Sequence, residues 1–317
     1  MKDFFYVVFG GIGAVILGIA IAFSIRYGVS VATKADSQSK QYDQSLNDTR
    51  DEVMRFGFKK KISYTASVEE GLMRAATLSL PRSSDTDITA TSYVIQNLKN
   101  GKVWAEHESE RLLPIASLTK LVTAVVAKKN MKDTTKIKMT KEMISTYGNA
   151  AGLKIGEVLT VGDLYYPLLL VSSNDAAEAL ARNYGRKQFI EAMNNFAQSI
   201  GAYRTSFYDP SGLSANNRST ANDIITIMTW IEKNNPEIIE ITKLKTKTIR
   251  AHTWTNPTHF LSWSNYGGGK NGYTEEAKNT GVAIFEMGKN KVKYAVAVLG
   301  SRSRDADIVK LLAKVKE

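Results

Sequence analysis

The sequence predicts an α+β fold in which a central antiparallel sheet is flanked by helices, with a helical subdomain between its strands. Three observations predict it: a β-hairpin signal at 91–107, a second at 280–299, and a block of helical periodicities between them. About 230 residues are ample for one buried core.

Taken in order, 91–98 and 102–107 are strand-like and flank Lys99-Asn100-Gly101, a tight-turn string. Ser117 then opens a run at 118–127 with apolar residues on nearly every side, so this helix reads as buried all round. Lys128 and Lys129 suit the negative end of its dipole, and Asn130 suits its stop. Helical spacing recurs at 162–171, 175–184, 187–200 and 219–234. Lys270 begins a sheet region, Gly288-Lys289-Asn290 turns between apolar runs 280–285 and 292–299, and a last helix covers 305–316.

Three short strings lie at the ends of these elements: Ser117-Leu118-Thr119-Lys120, Ser172-Ser173-Asn174 and Lys270-Asn271-Gly272. Together they suit a nucleophilic serine site that needs no histidine. Lys120, three residues after Ser117, shares its helix face, and the positions one turn away, Ala116, Ser117, Thr123 and Ala124, are small. That leaves the amine room but little water, which lowers a lysine pKa and lets the neutral amine take the serine proton. Alone, the string equally describes a serine cap followed by a solvated lysine. Ser172-Ser173-Asn174 forms a polar tip between two helices, with Ser172 placed to relay a proton and Asn174 to hold an amide; Ser173, Asn174 or Asp175 also suits a helix cap. Gly267-Gly268-Gly269 ahead of Lys270 would let a peptide backbone approach an edge strand, although a solvated edge lysine fits the same residues.

With these strings the sequence resembles the penicillin-binding serine D,D-peptidases, in particular the low-molecular-mass D-alanyl-D-alanine carboxypeptidase family, which shares S-x-x-K, S-x-N and K-T-G signatures with serine β-lactamases. Pro114 to Leu121, Ser173-Asn174-Asp175-Ala176-Ala177, Tyr208-Asp209-Pro210-Ser211-Gly212-Leu213, Ser219-Thr220-Ala221-Asn222-Asp223 and Gly272-Tyr273-Thr274-Glu275-Glu276-Ala277 extend the likeness over about 90–316. The resemblance implies a β-lactamase/transpeptidase-like fold and an acyl-serine mechanism without a cofactor. Ser117 would attack the penultimate D-alanine carbonyl, Lys120 would be the base, and Ser172 would hand a proton to the leaving amine. Asn174, Lys270, Asn271 and Gly272 would orient the substrate, the backbone N–H groups of Ser117 and Tyr273 would form the oxyanion hole, and Arg304 would meet the terminal carboxylate, with Arg302 the other candidate. The implied partners are peptidoglycan stem peptides and, as inhibitors, β-lactams.

Departures are visible. Asn271 replaces the signature threonine, Lys278 stands where the family has glycine, and no second, all-β domain follows the last helix. The expected activity is that of a D-Ala-D-Ala carboxypeptidase; an endopeptidase or a β-lactamase of the same superfamily is the alternative, and Asn271 keeps a catalytically silent wall-binding protein open. No Glu-x-x-Leu-Asn string of the class A β-lactamases follows Asn174.

The 317 residues contain no cysteine, so disulfides and thiolate metal sites are excluded. His107, His252 and His259 lie at no metal-binding spacing, and no glycine-flanked nucleophile elbow is present, which disfavours a zinc peptidase and a Ser-His-Asp hydrolase. The charge-free run at 4–25 is long enough, at about 1.5 Å per residue, to cross a hydrocarbon core of roughly 30 Å. It reads as a membrane anchor over 1–26, with Ala20-Ile21-Ala22 as the alternative of a cleaved signal. Lys2 before it and Arg26, Lys34 and Lys40 after it oppose an outward domain by charge count, but long domains cross largely regardless of charge. Residues 27–88 read as a polar stalk or linker, and 89–317 as the catalytic domain, placed outside the cytoplasmic membrane. A net charge of +11 is spread through helices and turns, which suits a solvated basic surface and not nucleic acid.

Overall fold

The computed structural model describes residues 88–148 and 150–315. These lie in one unit, Arg82–Glu317. The expected anchor and nearly all of the expected stalk lie outside the described residues; among those described, no helix is long and apolar enough to cross a membrane.

The first hairpin pairs β1 (Ser92–Asn97) with β2 (Val103–His107). Gly101 adopts φ +72° in its turn, and the Asn97 side chain accepts from the N–H groups of Lys99 and Asn100 at 2.8 and 3.3 Å. A short strand, β3 (Leu113–Pro114), leads into α1 (Thr119–Asn130), whose residues Thr119 to Ala127 are all buried. The helical subdomain follows, with the small strands β4 (Lys136–Lys138) and β5 (Val158–Thr160) bracketing the one-turn α2 (Lys141–Ile144). Next come α3 (Val161–Leu170), α4 (Asn174–Tyr184) and α5 (Arg186–Ser199). Thr160 and Asp163 form a capping box on α3, and Ser173 caps α4 by accepting from Ala176 N at 3.1 Å.

The expected helix at 219–234 starts later, as α6 (Ala221–Asn234), because β6 (Arg218–Ser219) pairs Ser219 with Leu113 and Thr220 takes the cap. Beyond it lie α7 (Pro236–Thr242) and a hairpin of β7 (Thr246–Ile249) and β8 (His252–Thr255), which periodicity did not reveal. Elements of four to seven residues are too short to show a period. The chain closes with β9 (Tyr266–Thr274), β10 (Lys278–Met287), β11 (Val292–Ser301) and α8 (Arg304–Leu312).

The main sheet has order β2-β1-β11-β10-β9 with every neighbour antiparallel. Alternation divides it into two cores. Val94, Val282, Ile284, Ala295, Ala297 and Leu299 join the helical subdomain, while Tyr93, Ile95, Phe285, Val296 and Val298 pack with Ile308 and Leu311 of α8. The fully buried Asp307 accepts from Thr89 N, Thr89 Oγ1 and Ser301 Oγ at 2.9, 2.8 and 2.6 Å, which ties the start of α8 to the segment ahead of β1 and to the end of β11. β2 and β9 are the two edges, and β9 runs beside the turn at Ala116–Leu118 that precedes α1.

Candidate active site

Ser117 occupies a 3-10 turn, Ala116–Leu118, directly ahead of α1, so the α-helix begins one residue later than its apolar run suggests. Ala116 sits at φ +47°, a left-handed conformation that costs an ordinary residue about 1–3 kcal/mol. Its surroundings enforce it. Ile115 N donates to Asn217 O at 3.0 Å, Thr280 Oγ1 donates to Ile115 O at 3.1 Å, and Gly212, at φ +88°, lies so close that a Cβ there would overlap Ala116 O.

Lys120 is 0% exposed. Its Nζ lies 2.9 Å from Ser117 Oγ, 2.7 Å from Asn174 Oδ1 and 2.6 Å from Ser211 O. Asn174 Nδ2 donates to Tyr147 O at 2.7 Å, so the amide must turn its oxygen to the lysine. The last two partners of Nζ are therefore pure acceptors. A neutral amine has two N–H groups and one lone pair; Asn174 and Ser211 take the N–H groups, and the lone pair is left for the Ser117 hydroxyl to donate to. Burial drives the Lys120 pKa well below the ordinary lysine value, the charge of Lys270 pushes it further, and Asp209 opposes both.

The loop behind this pair is held by hydrogen bonds to Asp209 and Asn217. Asp209 accepts from Ser211 N, Ser211 Oγ, Gly212 N and Ser214 N, each at 2.7 Å, and Asn217 Nδ2 donates to Asp209 O and to Thr119 Oγ1 of α1. Burial raises the Asp209 carboxyl, but its hydroxyl and N–H donors outweigh burial and hold the pKa below the usual carboxylate value. Thr123, one turn beyond Lys120, donates to Pro210 O at 2.6 Å. The carbonyl that meets the lysine is thus fixed from both sides.

Ser172 sits at φ +59° between α3 and α4, with its Oγ buried and without a protein partner. A hydroxyl left without a bond in the protein is free to serve a bound molecule.

β9 makes the opposite wall. Lys270 stands in mid-strand, 6% exposed, so it is not the solvated edge lysine that its sequence also allowed. Its Nζ donates to Asn271 O at 2.9 Å and to Asn271 Oδ1 at 3.4 Å, which leaves the Asn271 Nδ2 to donate elsewhere. Burial, with the nearby Arg304 charge, brings the Lys270 pKa down to about 7. A Cβ on Gly272 would lie 2.7 Å from Ser117 N. The glycines ahead of Lys270 serve a different purpose from the expected substrate approach: a Cβ on Gly267 or Gly268 would strike Ile284 or Ile239, and one on Gly269 would overlap Val282 O, so they fit the strand against its own neighbours.

Arg304 lies along Gly281 and lines a small cleft with Tyr266, Lys270, Asn271 and Asp305. Arg302 is exposed and outside that lining, and the Tyr273 side chain is 61% exposed, leaving its backbone as the part facing the strand pairing. Sequence reading named no role for Ser211 O, Tyr147 O, Asp209 or Asn217. The Asp-Pro-Ser-Gly string marks a turn, but which carbonyl a turn aims at a lysine is a property of the fold. Among the described residues, no group of three His, Asp or Glu side chains is placed to hold a metal.

A buried lysine paired with a serine at a helix start, walled by an edge strand bearing a second lysine, is an arrangement in which a lysine could activate a serine without a histidine. The profile of the D-alanyl-D-alanine carboxypeptidases, peptidase S11, matches residues 79–303, and the chain belongs to that family. It is 36% identical over 166 residues to a D-alanyl-D-alanine endopeptidase of Haemophilus influenzae, covering 51% of this chain and 56% of that one. It is 33% identical over 198 residues to the Escherichia coli endopeptidase, covering 60% and 62% respectively. The chain thus spans less than two thirds of the length of either relative. Among solved structures, a D-alanyl-D-alanine carboxypeptidase from Mycobacterium tuberculosis superposes with TM-score 0.67 at 26% identity, covering 75% of this chain and 92% of that one. A point mutant of the Streptomyces K15 DD-transpeptidase gives TM-score 0.66 at 28% identity, covering 72% and 97%.

Proposed function

We propose that this protein is a penicillin-binding serine D,D-peptidase acting on peptidoglycan stem peptides that end in D-alanyl-D-alanine. The observation that carries the reading is the Lys120 amine, buried and bonded to two pure acceptors with Ser117 Oγ as its third neighbour at 2.9 Å. Ser117 Oγ attacks the penultimate carbonyl while its proton passes to Lys120 Nζ, general-base help worth about 100 to 10,000-fold. The developing oxyanion is met by the N–H groups of Ser117 and Tyr273, each worth about 100 to 1000-fold. Collapse breaks the amide bond, the leaving nitrogen takes a proton by way of Ser172, and water later releases the acyl group. Asn174, Lys270, Asn271 and Arg304 orient the peptide, and Gly272 admits it beside the nucleophile.

Activity on cross-linked stems is a second reading, favoured because the D-alanyl-D-alanine endopeptidases of three bacteria stand among the relatives. Both readings place residues 89–317 as the catalytic domain outside the cytoplasmic membrane, held there by the apolar run at 4–25 through the polar segment 27–88. Incubation of the full-length protein with a labelled penicillin tests the chemistry. Wild type takes up the label stably and Ser117→Ala does not; an unlabelled wild type sinks the proposal. Recovery of the protein from the wash of intact membranes at high salt would sink the anchor.

A further inference from the structure

Lys120 can act as a base only while its lone pair faces Ser117, and that depends on which way the Asn174 amide points. Asn174 Oδ1 lies 2.7 Å from Lys120 Nζ while Asn174 Nδ2 donates to Tyr147 O, also at 2.7 Å. An amide turned the other way would offer its N–H to the lysine lone pair and leave the Ser117 proton no acceptor. The Tyr147 carbonyl thus sets the state of the base. It belongs to the stretch between α2 and β5, where, of the described residues at 145–156, only Ala151 and Leu153 are buried. A stretch with so few buried contacts opens easily unless it is tied from elsewhere.

The ties come from β8. The Trp254 indole, 3% exposed, donates from Nε1 to Ala151 O at 3.0 Å. His252 stacks on that indole with ring centroids 5.4 Å apart, and its Nε2 lies 2.7 Å from Glu157 Oε1. A carboxylate oxygen only accepts, so Nε2 carries the proton. The second oxygen of Glu157 accepts from Lys154 N at 3.2 Å, and Glu157 O accepts from Met139 N at 2.7 Å. Trp254 therefore holds the middle of the stretch, and His252, through Glu157, holds its far end.

We propose that Trp254 and His252 are positioning residues of the acylation step: they fix the Tyr147 carbonyl, which turns the Asn174 amide oxygen toward Lys120. The inference rests on the acyl-serine reading above. Its test is the second-order rate at which a labelled penicillin acylates the full-length protein. Trp254→Phe keeps a buried ring and removes the N–H; His252→Ala removes the donor to Glu157, and His252→Gln restores one. Trp254→Phe and His252→Ala are each expected to slow acylation about tenfold, the scale of an acceptor left without its donor, and His252→Gln to stay within about threefold of wild type. In an Asn174→Ala background the same two changes are expected to cost less than about twofold, because the amide they orient is gone. A general weakening of the fold would slow both backgrounds alike, so losses that persist undiminished beside Asn174→Ala overturn the inference. Single variants that acylate within about twofold of wild type overturn it too. If Trp254→Phe does not fold, the two His252 variants carry the same comparison. A labelled wild type with equal losses in both backgrounds leaves the acyl-serine reading standing; an unlabelled wild type sinks both.

Discussion

Replacing Gly272 by alanine should disable the site while leaving the fold standing. The new Cβ would lie 2.7 Å from Ser117 N, 2.8 Å from Thr280 Oγ1 and 3.1 Å from Ala116 Cβ. Ordinary contact begins at 3.4 Å, so β9 and the serine turn must separate by up to 0.7 Å. The Gly272 backbone is not left-handed, so alanine adds no conformational strain and the cost is steric alone. Overpacking of this size costs about 1–3 kcal/mol of stability, which a domain of this size survives. A displacement approaching 1 Å between nucleophile and substrate-holding strand costs about 100-fold in rate, or roughly 2.7 kcal/mol of barrier. The assay is the second-order rate of acylation by a labelled penicillin, with thermal melting measured in parallel. Acylation within about threefold of wild type would refute the contact between strand and nucleophile as the source of precision.

Three further outcomes follow from the charges of the site. Lys120→Met should abolish acylation, and it should also flatten the stability profile: below the ordinary value of 10.5 the unfolded lysine binds a proton that the buried amine does not, so wild-type stability rises with pH by about 1.4 kcal/mol per unit in the alkaline range, and an unchanged slope in the variant would show that the amine is charged in the fold. Lys270→Met removes a like charge that lowers the Lys120 pKa, so the acid limb of the penicillin acylation profile should move to higher pH; a limb that moves lower contradicts this coupling. Asp209→Asn cannot accept from all four donors that meet the carboxylate, so urea titration should show a loss of about 3 kcal/mol or more. Because the Asp209 pKa is depressed, its contribution is present at neutral pH and lost as pH falls through that lowered value, so wild type and variant should converge in acid.

Some of this was legible in the chain and some was not, for physical reasons. The two hairpins carry strand-like or apolar runs on either side of turn strings, and both appear in the sheet. The spacing of Ser117 and Lys120 places them on one helical face by geometry alone, which is why the 2.9 Å approach was foreseeable. Lys270 was ambiguous because the cleft that encloses it draws on Gly281, Val282 and Arg304, which follow it in the chain by more than ten residues. The glycine run misled because a missing side chain looks the same whether a substrate or Ile239 and Ile284 fills the space. Backbone acceptors such as Ser211 O and Tyr147 O leave no mark in a residue string at all.

The pairing of β1 with β11 joins residues about 200 positions apart. The scaffold is thereby threaded so that its first strand waits for its last, and long closures of this kind are slow. A nascent chain released before Val292 would hold its nucleophile with no completed sheet to press Gly272 against it. The site described above is assembled only after β11 has been made.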